Sequence, residues 1–234
     1  MRTIDIFRVQ PYNKRMNLKE NALSVLRAEQ NYISGETLAE RLNVTRQAVN
    51  KAVNALIAEG CKIESGKNRG YRLLYSALPD FARLRERFPQ TDFLWRDKTD
   101  STNAEAQRLY ASGVRGRTAI FAKEQTAGKA RYGGAFDSPA GGGLYVTLLD
   151  FPNIAPQEIS AYSETVYEKT ARALCCERKE FRLFKEGAHA GGMLVETISD
   201  PDKVLCAAAG IGVYLHCFKQ DLATLAEEIF SALL

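Results

Sequence analysis

Apolar residues recur at helical spacing through the first third of the chain. Their periodicity predicts helices over residues 17–29, 36–42 and 46–59. Ser34 and Thr45 stand just before the second and third of these helices, and both residue types are good N-caps. The apolar positions that can share one small core are Leu38, Leu42, Val44, Val49, Ala52 and Val53.

The connection between the second and third helices is typical of a helix-turn-helix. Small Ala39 lies four residues before Asn43, and branched Val49 lies six residues after it. Two steeply crossing helices need a small residue at their contact, a turn residue that tolerates positive φ and a branched apolar residue on the second helix. The exposed face of the third helix is rich in amide and basic side chains, which can pair with bases and phosphates. The candidate DNA contacts on it are Thr45, Arg46, Gln47, Asn50 and Lys51.

Two short alternating runs follow, at residues 61–64 and 71–74, on either side of a glycine-bracketed loop. This pattern predicts a β-hairpin. Lys67 and Arg69 at its tip are placed to touch phosphates, as the wing of a winged helix does. The alternatives are a plain three-helix packing unit with a polar outer face and an ordinary basic hairpin.

Beyond residues 76–80, strand-like and helix-like segments alternate, which predicts an α+β domain around a mixed sheet. We therefore expect a DNA-binding domain over residues 1–75 and a second domain over residues 76–234. The predicted strands are 93–96, 118–122, 144–149, 181–184, 193–197 and 204–215, and the predicted helices are 104–111, 158–174 and 221–233.

Charge is distributed unevenly along the 234 residues. Residues 1–75 carry 13 Lys and Arg against seven Asp and Glu, whereas the remainder carries 19 against 21. A basic first third predicts an anionic partner, of which nucleic acid is the usual one, although a chance excess of solvated lysines gives the same balance. Hydrophobic residues make up 45% of the chain, as in ordinary globular proteins, so global disorder is excluded.

Cysteine usage and hydropathy exclude several further classes. The five cysteines contain no C-x-x-C pair, which disfavours a disulfide scaffold and a zinc ribbon. We therefore predict no metal site and a reducing, cytoplasmic location. The longest nearly uncharged apolar run, residues 204–218, is too short for a membrane span, so no membrane partner is expected.

The side chains that are candidates for binding a ligand lie in two segments of the second domain. Ser101, Thr102 and Asn103 place small donors and acceptors at the start of a predicted helix. A glycine-rich loop over residues 125–143 carries Lys129, Arg131 and many backbone N–H groups, which together suit a carboxylate or a phosphate. Taken alone, such a loop is more often a plain surface loop.

Four motifs in order are specific together: S-T-N at 101–103, E-Q-T-A-G at 124–128, S-P-A-G-G-G-L-Y at 138–145 and G-M-L-V-E at 192–196. With them the chain resembles the BirA type of biotin protein ligase, which doubles as a transcriptional repressor. The resemblance implies a winged helix followed by a ligase domain, with double-stranded operator DNA, biotin or biotinyl-adenylate as partners and a homodimeric state. It also implies that the ureido ring of biotin is held by Ser101, Thr102, Asn103 and Gln125, and the carboxylate and phosphate by Gly128, Lys129 and Arg131.

The chain departs from the family pattern where ATP is expected to bind. Lys129 replaces an arginine and Ala130 a glycine of the loop, and the K-W-P-N-D segment is missing before residue 192. Lys185 is the candidate for the missing lysine, so the candidate catalytic residues are Arg131 and Lys185. Gly212 stands where the family's G-x-G-I-N motif has asparagine, and no C-terminal β-barrel is expected after Leu234.

These departures predict a biotin-responsive DNA-binding transcriptional regulator with weak or absent ligase activity. The alternative is an active bifunctional ligase and repressor that uses ATP and Mg²⁺ and transfers biotin to a carboxyl carrier protein. A sensor of another small acid is the third possibility.

Overall fold

The computed structural model describes residues 18–29, 31–66 and 69–234. It begins with a winged helix-turn-helix, which packs against a larger unit built on a mixed β-sheet. This is the α+β architecture that the sequence predicts. The elements of the first unit are α1 (Leu18–Ala28), α2 (Gly35–Leu42), α3 (Arg46–Ala58), β1 (Lys62–Gly66) and β2 (Gly70–Tyr75).

Local side-chain chemistry sets the ends of these helices. The Ser34 hydroxyl accepts a hydrogen bond from the Thr37 amide at 2.9 Å, and the Thr45 hydroxyl accepts one from the Ala48 amide at 3.2 Å. Asn43 turns the chain between α2 and α3 in the left-handed conformation, at φ 51° and ψ 49°. Both predicted N-caps and the predicted turn residue are therefore confirmed.

The hairpin of β1 and β2 gains a short third strand from the segment before α2. Ile33 and Tyr71 exchange backbone hydrogen bonds of 2.9 and 2.8 Å. Gly70 has φ +96°, and a Cβ at this position would collide with the Ile33 carbonyl, so only glycine allows this approach. Lys67, predicted at the tip of the wing, lies outside the described residues.

The second unit holds a seven-stranded sheet in the order β3-β4-β5-β9-β8-β7-β6. Only β3 and β4 pair in parallel; the other neighbours are antiparallel. Its elements are α4 (Phe81–Arg87), β3 (Asp92–Arg96), α5 (Thr102–Ala111), β4 (Thr118–Ala122), β5 (Gly143–Asp150), α6 (Ile159–Ala173), β6 (Glu177–Lys179), β7 (Arg182–Lys185), β8 (Ala188–Ser199), β9 (Val204–Tyr214) and α7 (Leu222–Leu233).

Two strands differ from the sequence prediction. β6 was not predicted, and β8 begins at Ala188 rather than at residue 193. Glu186 and Gly187 both have positive φ, of 50° and 81°, and form a two-residue turn that joins β7 directly to β8. The segment between the predicted strands 181–184 and 193–197 is therefore part of a hairpin.

Both faces of the sheet are covered near β4, which is buried along its whole length. On one face, Phe121 packs in the main core with aromatic and aliphatic residues of α4, α6 and α7. On the other face, Ile120 packs in a smaller cluster with Ala106 of α5. The part of this second face that α5 leaves uncovered, along β8 and β9, borders the cavity described below.

The winged helix is docked on the second unit by buried contacts. Leu78, in the predicted connection, packs in the core of the first unit. Arg27 of α1 forms an ion pair of 2.7 Å with Asp221, the N-cap of α7. Burial raises the pKa of Asp221, but hydrogen bonds from Arg27 and Thr224 outweigh it and the pKa falls below its usual value. Because the folded pKa is lowered, this contribution to stability is present at neutral pH and is lost as pH falls through that pKa.

Among the described residues, every helix is too short or too polar to span a membrane.

Candidate ligand and DNA sites

A cavity of about 400 Å³ opens on the face of the sheet beside α5. It lies between the start of α5, the loop after β4 and the central parts of β8 and β9. We call its hydrogen-bonded inner end the floor; Ser101, Thr102, Asn103 and Gln125 line it, and buried Thr147 supports it from behind through hydrogen bonds. We call its outer end the mouth, formed by Lys129, Arg131, Phe136, Phe181 and Arg182.

The segment before α5 is fixed to the loop that carries Gln125. Thr126 and Ala127 donate backbone hydrogen bonds of 2.9 and 2.8 Å to the carbonyls of Thr99 and Asp100. Hydrogen bonds from Arg108 hold the pKa of Asp100 well below its usual range, so the carboxylate stays charged and also accepts from the Ser101 amide. These contacts place the S-T-N and E-Q-T-A-G motifs side by side.

Asn103 is the centre of the floor. Its Nδ2 donates to Glu196 Oε2 at 2.8 Å, and its Oδ1 accepts from the Thr147 hydroxyl at 2.6 Å. Asn103 and Thr147 are both buried. A Cβ at Gly210 would overlap Asn103 Oδ1, so the close approach of β9 to this side chain requires glycine there.

Gln125 connects the floor to the loop. Its Oε1 accepts from the backbone amide and the hydroxyl of Thr102, at 2.8 and 3.0 Å. Its Nε2 donates to the Ser138 hydroxyl at 2.9 Å. The buried Ser101 hydroxyl is not used by this network and borders the cavity.

The structure brings four predicted floor residues together and adds two that sequence reasoning missed. Thr147 lies in the middle of the otherwise apolar strand β5, and this isolated polar position was the available signal. Ser138 belongs to the S-P-A-G-G-G-L-Y motif but was not singled out. Both complete hydrogen bonds of the predicted residues.

The mouth combines exposed cations with buried and half-buried aromatic rings. Lys129 lies 3.7 Å from Glu196 Oε1, and Arg131 lies over the ring of Phe181, with 5.5 Å between the guanidinium carbon and the ring centroid. Arg182, which the sequence analysis did not single out, lies at the same distance from that ring. Gly128 does not line the cavity; its carbonyl accepts from the Phe136 amide and shapes the loop.

An aromatic ring occupies the place where the family pattern has asparagine. Phe136 stacks on Tyr214 with a centroid separation of 5.3 Å and an interplanar angle of 2°. A Cβ at Gly212 would overlap the Phe136 ring. An asparagine at position 212 therefore does not fit beside Phe136, and the residues at this end do not reproduce the expected adenine contact.

Lys185 is a correction to the sequence prediction. Its ammonium donates to the Leu174 carbonyl at 2.7 Å and lies over the ring of Phe218, away from the residues that line the cavity. Side chains alternate along β7, so Lys185 shares the helix-covered face with buried Leu183, whereas Arg182 lies on the cavity face. The predicted catalytic lysine is therefore not in the site.

The predicted DNA-binding face is exposed on α3. Arg46, Gln47 and Lys51 are all exposed, whereas the Thr45 hydroxyl is engaged as an N-cap. Asn50 Nδ2 donates to the Tyr71 hydroxyl at 3.3 Å and so links α3 to the wing. On the wing, Arg69 lies over the Tyr32 ring, 4.8 Å from its centroid.

Comparisons with known proteins cover both units. Residues 19–72 match the model of a helix-turn-helix family described as "HTH domain". Over 232 residues the chain is 23% identical to the bifunctional ligase/repressor BirA of Bacillus spizizenii and 24% identical to that of Bacillus subtilis; each match covers 94% of this chain and 71% of the relative.

A solved structure supports the fold. The biotin protein ligase of Leishmania major, in complex with biotin, aligns over 61% of this chain and 72% of its own, with a TM-score of 0.50 and 18% identity. The helix-turn-helix match, the two full-length relatives and this shared fold agree with the four motifs in the sequence. The chain is therefore similar to the BirA type of biotin protein ligase in its helix-turn-helix, in its fold and along 94% of its length.

Proposed function

We propose that the protein is a biotin-responsive, DNA-binding transcriptional regulator with weak or absent ligase activity. The observation that carries the proposal is the floor, where hydrogen bonds join Thr102, Asn103, Gln125 and Thr147 at the inner end of the cavity, in a chain that also carries a winged helix. The ureido ring of biotin needs a compact set of donors and acceptors. The Ser101 hydroxyl and the second N–H of the Gln125 amide are available to it at the inner end of the cavity.

The proposal of weak ligase activity rests on the other end of the cavity. Joining biotin to a carrier protein proceeds in this family through an adenylate, and positioned cations stabilise the charge that develops at phosphorus. In this chain the candidate Lys185 is bound to a helix end, and Phe136 fills the space beside Gly212. These residues do not fit the expected ATP site, so no catalytic step is assigned to them.

The DNA-binding part of the proposal requires two copies of the chain. A homodimer presents two recognition helices to operator half-sites about one helical turn apart, or a multiple of it. Biotin shifts the dimer equilibrium only by the difference in its affinity for the two states. We expect the loop with Lys129 and Arg131 to couple biotin binding to dimerisation. We also propose that the protein is cytoplasmic.

Calorimetry and a transfer assay test the ligand side. We expect heat of binding with biotin and, in the presence of ATP, Mg²⁺ and a biotin carboxyl carrier domain, transfer far slower than that of an active family member. Rapid transfer would establish the active bifunctional ligase instead. Absence of any heat or thermal shift at millimolar biotin would favour a sensor of another small acid.

Substitutions on α3 and the wing test the DNA side. Gln47→Ala removes a base-reading amide, so specific binding should weaken by about 1–3 kcal/mol. Arg69→Ala should weaken binding to all sequences and reduce the salt slope by about one unit. Retention of genomic fragments at several salt concentrations measures both effects.

Gln157→Ala and Arg172→Ala are the matched controls, because both side chains are exposed in the second unit. They should leave DNA affinity unchanged. Failure of the unsubstituted protein to retain any fragment at low salt, with or without biotin, would contradict the DNA-binding assignment.

A further inference from the structure

The cations of the mouth differ in whether a carboxylate already neutralises them. Lys129 has Glu196 as its partner. No carboxylate of the described chain lies within ion-pair distance of the guanidinium of Arg131 or Arg182, although both residues line the cavity. Within the part of the chain that the structure describes, the mouth thus holds two guanidinium groups that no carboxylate neutralises.

One aromatic ring places both guanidinium groups. Phe181 is buried, and the guanidinium carbons of Arg131 and Arg182 each lie 5.5 Å from its centroid. Arg131 comes from the loop after β4, whereas Arg182 begins the strand β7. The ring therefore holds together two like charges from separate segments, an arrangement that repels in the absence of an anion.

We infer that Arg182, together with Arg131, binds the anionic end of the cavity's ligand as a pair of guanidinium groups held on Phe181. Guanidinium groups present planar donor pairs that match a carboxylate or a phosphoryl group. Arg182 supplies the cation that Lys185 does not, because it lies on the cavity face of β7 and Lys185 lies on the opposite face. This inference rests on the proposed function, since it assigns a role at the same site.

The test compares charged and uncharged ligands in calorimetry with the full chain. Arg182→Met keeps an unbranched stem and removes the guanidinium charge; because Arg182 is exposed, folding should be unaffected, which a thermal melt checks. We expect biotin affinity to fall about tenfold or more, as for the loss of a charged hydrogen bond. Binding of biotinol, in which an alcohol replaces the carboxylate, should change less than about twofold. Arg182→Lys should retain part of the affinity for biotin.

Lys179→Met is the matched control. Lys179 is the cross-strand neighbour of Arg182 on β6, is exposed and does not line the cavity, so the variant loses the same charge at the same edge of the sheet. It should bind both ligands as the unsubstituted protein does. An equal loss in Lys179→Met would show that only the long-range field matters and would overturn the inference.

The remaining outcomes are also decisive. Equal weakening of biotin and biotinol by Arg182→Met would show that Arg182 shapes the cavity rather than binds the anion. A loss confined to a sulfamoyl analogue of biotinyl-adenylate would identify the phosphoryl group as the anion, whereas a loss with biotin itself identifies the carboxylate. If no variant loses affinity for either charged ligand, the inference is wrong while the proposed function stands. If the unsubstituted protein binds no biotin, the proposed function fails first.

Discussion

The floor and the mouth of the cavity are built on opposite principles. At the floor, buried polar groups satisfy one another, and Asn103 joins the start of α5 to β5 and β8. At the mouth, exposed cations lie over aromatic rings, and Tyr132 is 84% exposed. The buried floor residues therefore contribute to the stability of the fold, whereas the exposed cations of the mouth can change at little cost to it.

The largest loss of stability and of biotin affinity is expected from a substitution at the floor. Asn103→Leu leaves the Thr147 hydroxyl and the Glu196 carboxylate without their buried partner. The free energy of unfolding should fall by about 2–4 kcal/mol, and biotin binding should be lost. Urea denaturation and calorimetry measure the two effects. Asn153→Leu, on an exposed loop, is the control and should change stability by less than about 0.5 kcal/mol. A fully stable Asn103→Leu protein would refute the dual role of the floor.

An intermediate loss of stability is expected at Gly212, which lies against Phe136. Gly212→Asn restores the family residue but introduces a Cβ that overlaps the Phe136 ring, so it should destabilise the protein by about 1–3 kcal/mol. Adding Phe136→Ala removes the overlap and should recover part of this loss. The coupling between the two substitutions, measured in a double-mutant cycle by denaturation, is the readout. Additive effects would show that Phe136 does not occupy the asparagine's place.

The smallest effect is expected at the mouth. Lys129 is half exposed and its ion pair with Glu196 is long, so Lys129→Met should change the free energy of unfolding by less than about 0.5 kcal/mol. Thermal melts of this variant and of Asn103→Leu under the same conditions sharpen the comparison. A loss of stability at Lys129 as large as that at Asn103 would remove the distinction between the two ends.

The sequence predicts those features that depend on contacts between residues close together along the chain. Ser34, Asn43 and Thr45 act on residues a few positions away, so their roles were predictable from local chemistry. Thr147 contacts a residue 44 positions earlier in the chain, and periodicity carries no information about such a partner.

Lys185 lies outside the cavity for a geometric reason that the sequence partly contains. Once 182–185 is a strand, side chains three positions apart lie on opposite faces, so Arg182 and Lys185 cannot both reach the cavity. Which face is the cavity face depends on the packing of Leu183 against the helices, and this became known only with the structure.

The ion pair between Arg27 and Asp221 limits how easily the winged helix can be transferred to another protein. Winged helices are usually treated as exchangeable parts, but here the connection is buried at Ser76 and Leu78, and α7 receives its cap from a residue that also binds α1. A chimera cut at residue 75 would separate Arg27 from its carboxylate and expose the apolar contacts of Leu78. Grafting this DNA-binding unit onto another ligase domain therefore requires transferring the docking residues of α4 and α7 with it.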